Sequence, residues 1–452
     1  MAETTKGNRV RETGQEGLEA TAGAPARKRL LILASKLGYQ TRGFADVAER
    51  LGVDVVFGTD RCHKLDDPWG DRALALHFEK PREAAEEILR GMRAAPPDAI
   101  LALGDRPTPA AAYAAEALGI WWNPPAAVEN SRDKALQREA LSKSGERVPE
   151  FFAFPANDEI LRILPRVKFP CVVKPTVLSA SQGVIRANNS AEFERAVTRI
   201  RSLLESPEIR ALHEPGLEQL LVEAYIPGKE VAVEGLIDHG RVRVLAIFDK
   251  PDPLEGPYFE ETIYVTPSRL PSEMQRSIEE CAARCVAALG LLTGPLHAEF
   301  RVNEECVWPL EIAPRPIGGL CSRALRFGPE RMSLEELLLR QALGMPGSDA
   351  QRESDASGVM MIPVPRSGIF EGADGIEAAE KVPGVDEIRI TARLRDYVAA
   401  WPEGSSYLGF VFARAKSARE VEEALRAAHA KMVFRFSPRL TVEHPATGKM
   451  RA

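Results

Sequence analysis

The chain is 452 residues long, 44% apolar and 27% charged, with a formal net charge of −6. That length buries two or three cores of ordinary domain size. The mild acidity and the lack of a basic stripe with interleaved aromatics argue against a nucleic-acid partner. No apolar run approaches the ~20 residues that span a bilayer, which argues against a membrane one.

Residues 1–28 are polar, small and charged, lack an apolar h-region, and read as a disordered leader. After them "RLLILA" (29–34), "VDVVFG" (53–58) and "AILALG" (99–104) are short apolar runs separated by helix-like stretches such as 44–51 and "AAEEILRGMRA". Buried strands alternating with helices indicate a parallel sheet covered on both faces, and so a first α/β domain over 29–127. The first strand runs into "SKLGYQTRG", which has no G-x-G-x-x-G, so a dinucleotide site finds no support.

"SRDKALQREALSKSG" predicts a helix with Ser131 as N-cap, an inner stripe of Leu136, Ala140 and Leu141, and a stop at Gly145. Strands dominate the next stretch: "FPCVVKP", "GVIRA", "QLLVEAYI", "EVAVEGLID" and "RVRVLAIFDK", with one helix at 191–204. "PSEMQRSIEECAARCVAALG" predicts a helix opened by a capping box, Ser272 to Gln275, and closed by Gly290. Of the six cysteines, Cys281 and Cys285 fall at helical spacing beside Ile278 and Leu289, as a buried stripe does. Scattered thiols of this kind predict a reduced, cytoplasmic protein. From 355 to 452 the pattern changes to a smaller α+β module, "GVMMIPVP", "DEIRIT", "YLGFVFA", a capped helix from Ser417, and "VFRF".

The chemistry concentrates in a few places. In "HAEFRVNEECVWPLEIAPRPIGGL" Glu299 and Glu311 interrupt runs that otherwise read as strands. If residues 304–306 form the turn, Asn303 pairs with Val307 and Glu299 faces Glu311. Facing carboxylates repel unless a cation joins them. Oxygen-only ligands favour Mg²⁺ or Mn²⁺, while neutralisation by Arg301 or Arg315 is the plain alternative; the hairpin alone leaves both open. Arg315 sits between Pro314 and Pro316, a rigid setting suited to clamping phosphate or carboxylate. Lys174 ends a buried strand, where an ammonium requires an anion. The loop after it, "TVLSASQG", carries Ser179, Ser181 and Gly183 and can fold hydroxyls and N–H groups around phosphate. "LVEAYIPGKEV" sets Glu223 and Glu230 around Tyr225.

In combination and in this order, a helical Lys134, the strand-end Lys174 with its small-residue loop, the acidic hinge and the late Glu–Glu–Arg hairpin resemble the ATP-grasp superfamily over roughly residues 30–345. The resemblance implies a Rossmann-like first domain, an ATP-grasp domain of two lobes over 128–350, and a small α+β module over 355–452. It implies that Lys134 and Lys174 contact ATP phosphates, with Lys174 also near the base. By the same resemblance Ser179, Ser181 and Gly183 belong to the phosphate loop, Glu223 and Tyr225 to the adenine hinge, and Glu230 to the ribose. Glu299 and Glu311 are implied to hold Mg²⁺ (or Mn²⁺), and Arg315 to act with Lys174 on the transferring phosphoryl group. Ala313 stands where many relatives carry an Asn, and Glu261 of "YFEET" is the candidate replacement ligand.

"PLEIAPRPIGGL", "FDKPDPLEGPYFEE" and "MMIPVPRSGIFEG" with "YLGFVFARA" resemble the L-amino-acid ligases, and the module resembles their second C-terminal domain. The implied activity is an ADP-forming carboxylate–amine ligase working through an acyl phosphate on amino-acid-like substrates. A bicarbonate-phosphorylating carboxylase and a non-catalytic ATP-binding regulator are the alternatives, and a homodimer is left open.

Overall fold

The computed structural model describes residues 27–35, 39–60, 73–439, 442–443 and 450–451. The expected leader, apart from its last two residues, and Cys62 lie outside them.

The first unit contains β1 (Arg29–Ala34), α1 (Tyr39–Arg50), β2 (Asp54–Thr59), β3 (Ala73–Ala75), α2 (Pro81–Gly91), β4 (Ala99–Leu103) and α3 (Thr108–Leu118). Its four strands are parallel in the order β3-β2-β1-β4. Both faces are covered, which is why β1 is apolar after Arg29. Leu30 and Ile32 pack with Phe44 and Val47 of α1. Leu31 and Leu33 point the other way, onto Ile88 of α2 and Ala111 of α3.

Two helices follow instead of one: α4 (Pro125–Arg132) and α5 (Lys134–Lys143). The break is Asp133, which is extended and caps α5 by accepting from the N–H groups of Ala135 and Leu136 at 2.8 and 3.1 Å. Ser131 is therefore not the cap; it lies in α4 and donates to the Ile312 carbonyl. The inner face also differs from the apolar stripe expected. Leu136 is 42% exposed, and Gln137, Arg138 and Leu141 point inward. That face is polar because it meets a strand edge: the Gln137 amide both donates to Ile312 O (2.9 Å) and accepts from Ile312 N (3.1 Å).

A small antiparallel lobe is built from β5 (Phe151–Pro155), α6 (Ile160–Ile163), β6 (Cys171–Pro175), β7 (Ile185–Ala187), α7 (Ser190–Leu204), α8 (Pro207–Arg210) and β8 (Gln219–Ala224). Its strand order is β5-β8-β6-β7, with Phe193, Val197 and Ile200 of α7 packed on Val173 and Val222.

The large sheet follows, with β9 (Lys229–Asp238), β10 (Arg241–Asp249), β11 (Ile263–Thr266), α9 (Ser272–Leu289), β12 (Gly294–Val302), β13 (Val307–Ala313), α10 (Leu334–Ala342) and β14 (Ala356–Ile362). Beyond it run β15 (Gly368–Asp374), α11 (Ile376–Glu380), β16 (Val385–Ile390), β17 (Tyr397–Val398), β18 (Gly409–Ala415), α12 (Ala418–His429) and β19 (Val433–Ser437). Eight strands form one sheet in the order β13-β12-β9-β10-β11-β14-β18-β16. Strands β14, β18 and β16 thus extend the sheet that carries the hairpin, while β17-β15-β19 form a separate small one.

Helix α9 begins at Ser272 after Pro271 with no side-chain cap, so the expected capping box does not form. Gln275 instead donates to the carbonyls of Ser268 and Leu270 at 3.3 and 2.8 Å. Gly290 closes the helix at φ 76°. Cys281 and Cys285 are buried in its stripe with their sulfurs 4.0 Å apart, and the described cysteines are free thiols.

Candidate functional site

The β12–β13 hairpin sets Glu299 directly opposite Glu311, by a different route from the simple count. Val302, not Asn303, pairs with Val307; a bulge then leaves Leu310 unmatched between Phe300↔Pro309 and Glu299↔Glu311. The longer turn and the bulge offset each other, and the two carboxylates still meet.

Each carboxylate has its own cation. Arg315 lies 3.3 Å from Glu311 and donates to Asp105, in the loop between β4 and α3, at 2.7 Å. The first unit and the hairpin are thereby joined at the site. Glu299 is 3.0 Å from the Lys250 ammonium, at the end of β10, and 3.6 Å from His297 Nε2. Arg301 serves neither; it bonds Glu230 at 2.7 Å and the carbonyls of Ile226 and Leu254.

Burial works against charge throughout this cluster, and partners decide the outcome. His297 would be lowered by burial, but the carboxylates of Glu234 and Glu299 lift it to about 9. Glu299 would be raised by burial, yet Lys250 and His297 hold it well below the carboxylate range. Glu261 is raised to about 7, by burial first and then by Glu299 and Glu230 against the pull of Lys250. The side chains of Glu299 and Glu311 keep 18% and 24% exposure, so both still reach solvent. Two opposed, oxygen-only, solvent-reaching carboxylates fit a hard divalent cation.

In the small lobe, Lys174 at the end of β6 bonds Glu223 of β8 at 2.6 Å. Arg138 of α5 takes the other Glu223 oxygen at 2.6 Å and also donates to Leu310 O at 2.7 Å. Against the upward push of burial, these two cations bring Glu223 down to about 2. Lys174 itself lies below the usual lysine range because burial and its cationic neighbours Arg138 and Lys134 outweigh Glu223.

Lys134, the first residue of α5, is tied to the loop after β6. Its N–H donates to Thr176 O at 2.9 Å and its ammonium to Leu178 O at 2.5 Å. Within that loop Ala180, Ser181 and Gly183 adopt φ of 56°, 53° and 73°, and the N–H of Gln182 turns back onto Ser179 O. At Gly183 an added Cβ would come within 3.2 Å of Pro175, so glycine serves both the turn and the close approach. The C-terminal module holds the loop from outside. Gln182 donates to Glu403 O at 2.8 Å, Gly183 N–H to Pro402 O at 3.3 Å, and Arg199 bonds the Glu403 carboxylate at 3.0 Å.

Tyr225 follows β8 with the Arg186 guanidinium 3.9 Å from its ring centre and its N–H donated to Pro170 O. Glu230 bonds Lys250 at 2.8 Å, and Glu261 also bonds Lys250. The anticipated residues therefore gather as two groups: Lys134, Lys174, Glu223 and the loop on one side, and Glu230, Glu261, Glu299, Glu311 and Arg315 on the other.

Five participants escaped the sequence reading: Asp105, Arg138, Glu234, Lys250 and His297. His297 and Lys250 had a legible signal. His297 shares the face of Glu299 two residues on, and Lys250 ends an apolar strand just as Lys174 does.

Comparison with known proteins adds three domain matches. An ATP-grasp N-terminal domain matches residues 45–120, an ATP-grasp domain 167–324, and an L-amino acid ligase C-terminal domain 2 matches 360–437. The chain is 26% identical over 284 residues to alanine–anticapsin ligase of Bacillus subtilis strain 168, covering 59% of each protein. It is 27% identical over 391 residues to the formate-dependent phosphoribosylglycinamide formyltransferase of Burkholderia pseudomallei, covering 80% of this chain and 86% of that one. The crystal structure of an L-amino acid ligase from Bacillus licheniformis superposes with a TM-score of 0.74 at 27% identity, over 91% of this chain and 99% of that one. Against the first curated relatives the match spans about three fifths of their length. Among the described residues no helix is long and apolar enough to cross a membrane.

Proposed function

Because the chain belongs to the ATP-grasp superfamily and resembles the L-amino-acid ligases within it, we propose that it joins a small-molecule carboxylate to an amine, driven by ATP, with release of ADP and phosphate. The names of its relatives support amino-acid-like partners for both roles.

The observation that carries this reading is the opposition of Glu299 and Glu311 with Arg315 anchored beside them. Lys134, Lys174 and the 176–183 loop hold the phosphates by charge and N–H donation, the Glu223–Tyr225 segment flanks the base, and Glu230 accepts from the ribose. Glu299 and Glu311 hold Mg²⁺ (or Mn²⁺), which supplies charge neutralisation at the phosphate oxygens. Arg315, fixed by Asp105, orients the terminal phosphoryl group, so catalysis is chiefly positioning and electrostatics. A carboxylate oxygen attacks the γ-phosphorus and ADP leaves. The amine then attacks the carbonyl carbon of the acyl phosphate, phosphate departs, and the amine loses a proton. Closure of the loop against the C-terminal module keeps water from the acyl phosphate.

The test is chromatography of the nucleotide product with mixed amino acids, with and without bicarbonate. Amino-acid-dependent ADP supports the ligase. Bicarbonate-dependent ADP points to the carboxylase alternative, no turnover to a regulator, and AMP contradicts the acyl-phosphate route.

A further inference from the structure

Lys250 is a buried lysine that the phosphate-binding reading does not use, with only 3% of its side chain exposed. Its ammonium lies 2.8 Å from Glu230, 3.0 Å from Glu299 and in contact with Glu261. An ammonium has three N–H donors, and here each has its own carboxylate. One oxygen from each of those three side chains lies within 4.8 Å of the others, the arrangement a divalent ion would require. The lysine already fills it. To admit an ion there, Lys250 would have to give up three charge-assisted bonds and its place against the Tyr264 ring, 5.1 Å away. On the Glu311 side the next inward group is Ala313, 3% exposed, whose methyl offers no ligand.

We infer that Lys250 is a positioning residue standing where a second divalent cation would sit, so that the centre binds one metal ion per chain, between Glu299 and Glu311. Glu261 is then a partner of the lysine and not a metal ligand. The ammonium also ties Glu230 to Glu299, linking the group assigned to the ribose with the group assigned to the metal. This rests on the nucleotide-binding reading above and adds to it an ion count and a role for Lys250.

The decisive measurement is the number of Mn²⁺ ions bound per chain in the presence of a slowly hydrolysed ATP analogue, followed by electron paramagnetic resonance. Wild type should bind one. Lys250→Met empties the acidic triad and should bind two, while Lys250→Arg, which keeps a cation, should stay at one. Two ions in wild type, or a single ion in a folded Lys250→Met protein that retains the analogue, would overturn the inference. Should Lys250→Met fail to fold, the wild-type count alone decides: one supports it, two refutes it. Binding of neither analogue nor Mn²⁺ would refute the nucleotide reading itself, and the inference with it.

Discussion

Replacing Glu223 with Gln removes the one anion between two buried cations, Arg138 and Lys174, whose side chains are 0% and 9% exposed. The size of the effect follows from the carboxyl itself, held at about 2 against an ordinary 4.5 by Arg138 and Lys174 despite burial. At ~1.4 kcal/mol per pH unit this amounts to about 3 kcal/mol of stabilisation of the ionised form, comparable to the ~3–5 kcal/mol expected when a buried pair loses one partner. Because the folded value is depressed, the contribution is fully present above about 4.5 and is lost as pH falls towards 2. The chain has several cores and need not unfold in one step, so the assay should be local. Hydrogen exchange at pH 7 should show β6 and β8 opening roughly a hundredfold more readily in Glu223→Gln, with the β1–β4 sheet unchanged. The difference between the two proteins in thermal midpoint should narrow below pH 4.5. Unchanged exchange in β6 and β8, or a gap independent of pH, would refute the ion-pair account of this hinge.

Glu299→Gln and Glu311→Gln should each abolish ADP formation while leaving the circular dichroism spectrum intact; a markedly lower thermal midpoint with turnover retained would make the hairpin a structural ion-pair face. Lys174→Met should weaken nucleotide binding by at least tenfold in calorimetry, since a phosphate contact is lost while Arg138 still satisfies Glu223. The 176–183 loop should be cut more slowly by protease when MgATP is added. Glu403→Ala, which removes the Arg199 bond, should speed cutting in the absence of nucleotide.

The first sheet was readable because its central strands β1 and β4 are buried on both faces and spelled almost wholly in apolar residues, a local signal that the three partly exposed residues of β3 lack. The facing carboxylates were readable because period two survives an error in the turn, here compensated by the bulge at Leu310. Helix α5 was misread because its inner face is polar: Gln137 and Arg138 hold β13 and Glu223, partners 85 to 175 residues away in the chain. Lys250 itself carries the strand-end signal of Lys174, but its partners were not legible, since its three carboxylates come from three separate segments. Nor does local pattern reveal that β14, β18 and β16 continue the hairpin's own sheet, because that depends on pairing between distant strands.

The central claim is that a substrate carboxylate, not the amine, is the group that receives the terminal phosphoryl of ATP. A carboxylate substrate labelled with ¹⁸O in both oxygens tests it directly. If the acyl phosphate forms, one labelled oxygen bridges carbon and phosphorus and leaves with phosphorus when the amine attacks. ³¹P nuclear magnetic resonance should then show one ¹⁸O in the inorganic phosphate for each amide made. Phosphate free of label, or label recovered in AMP, would contradict the account.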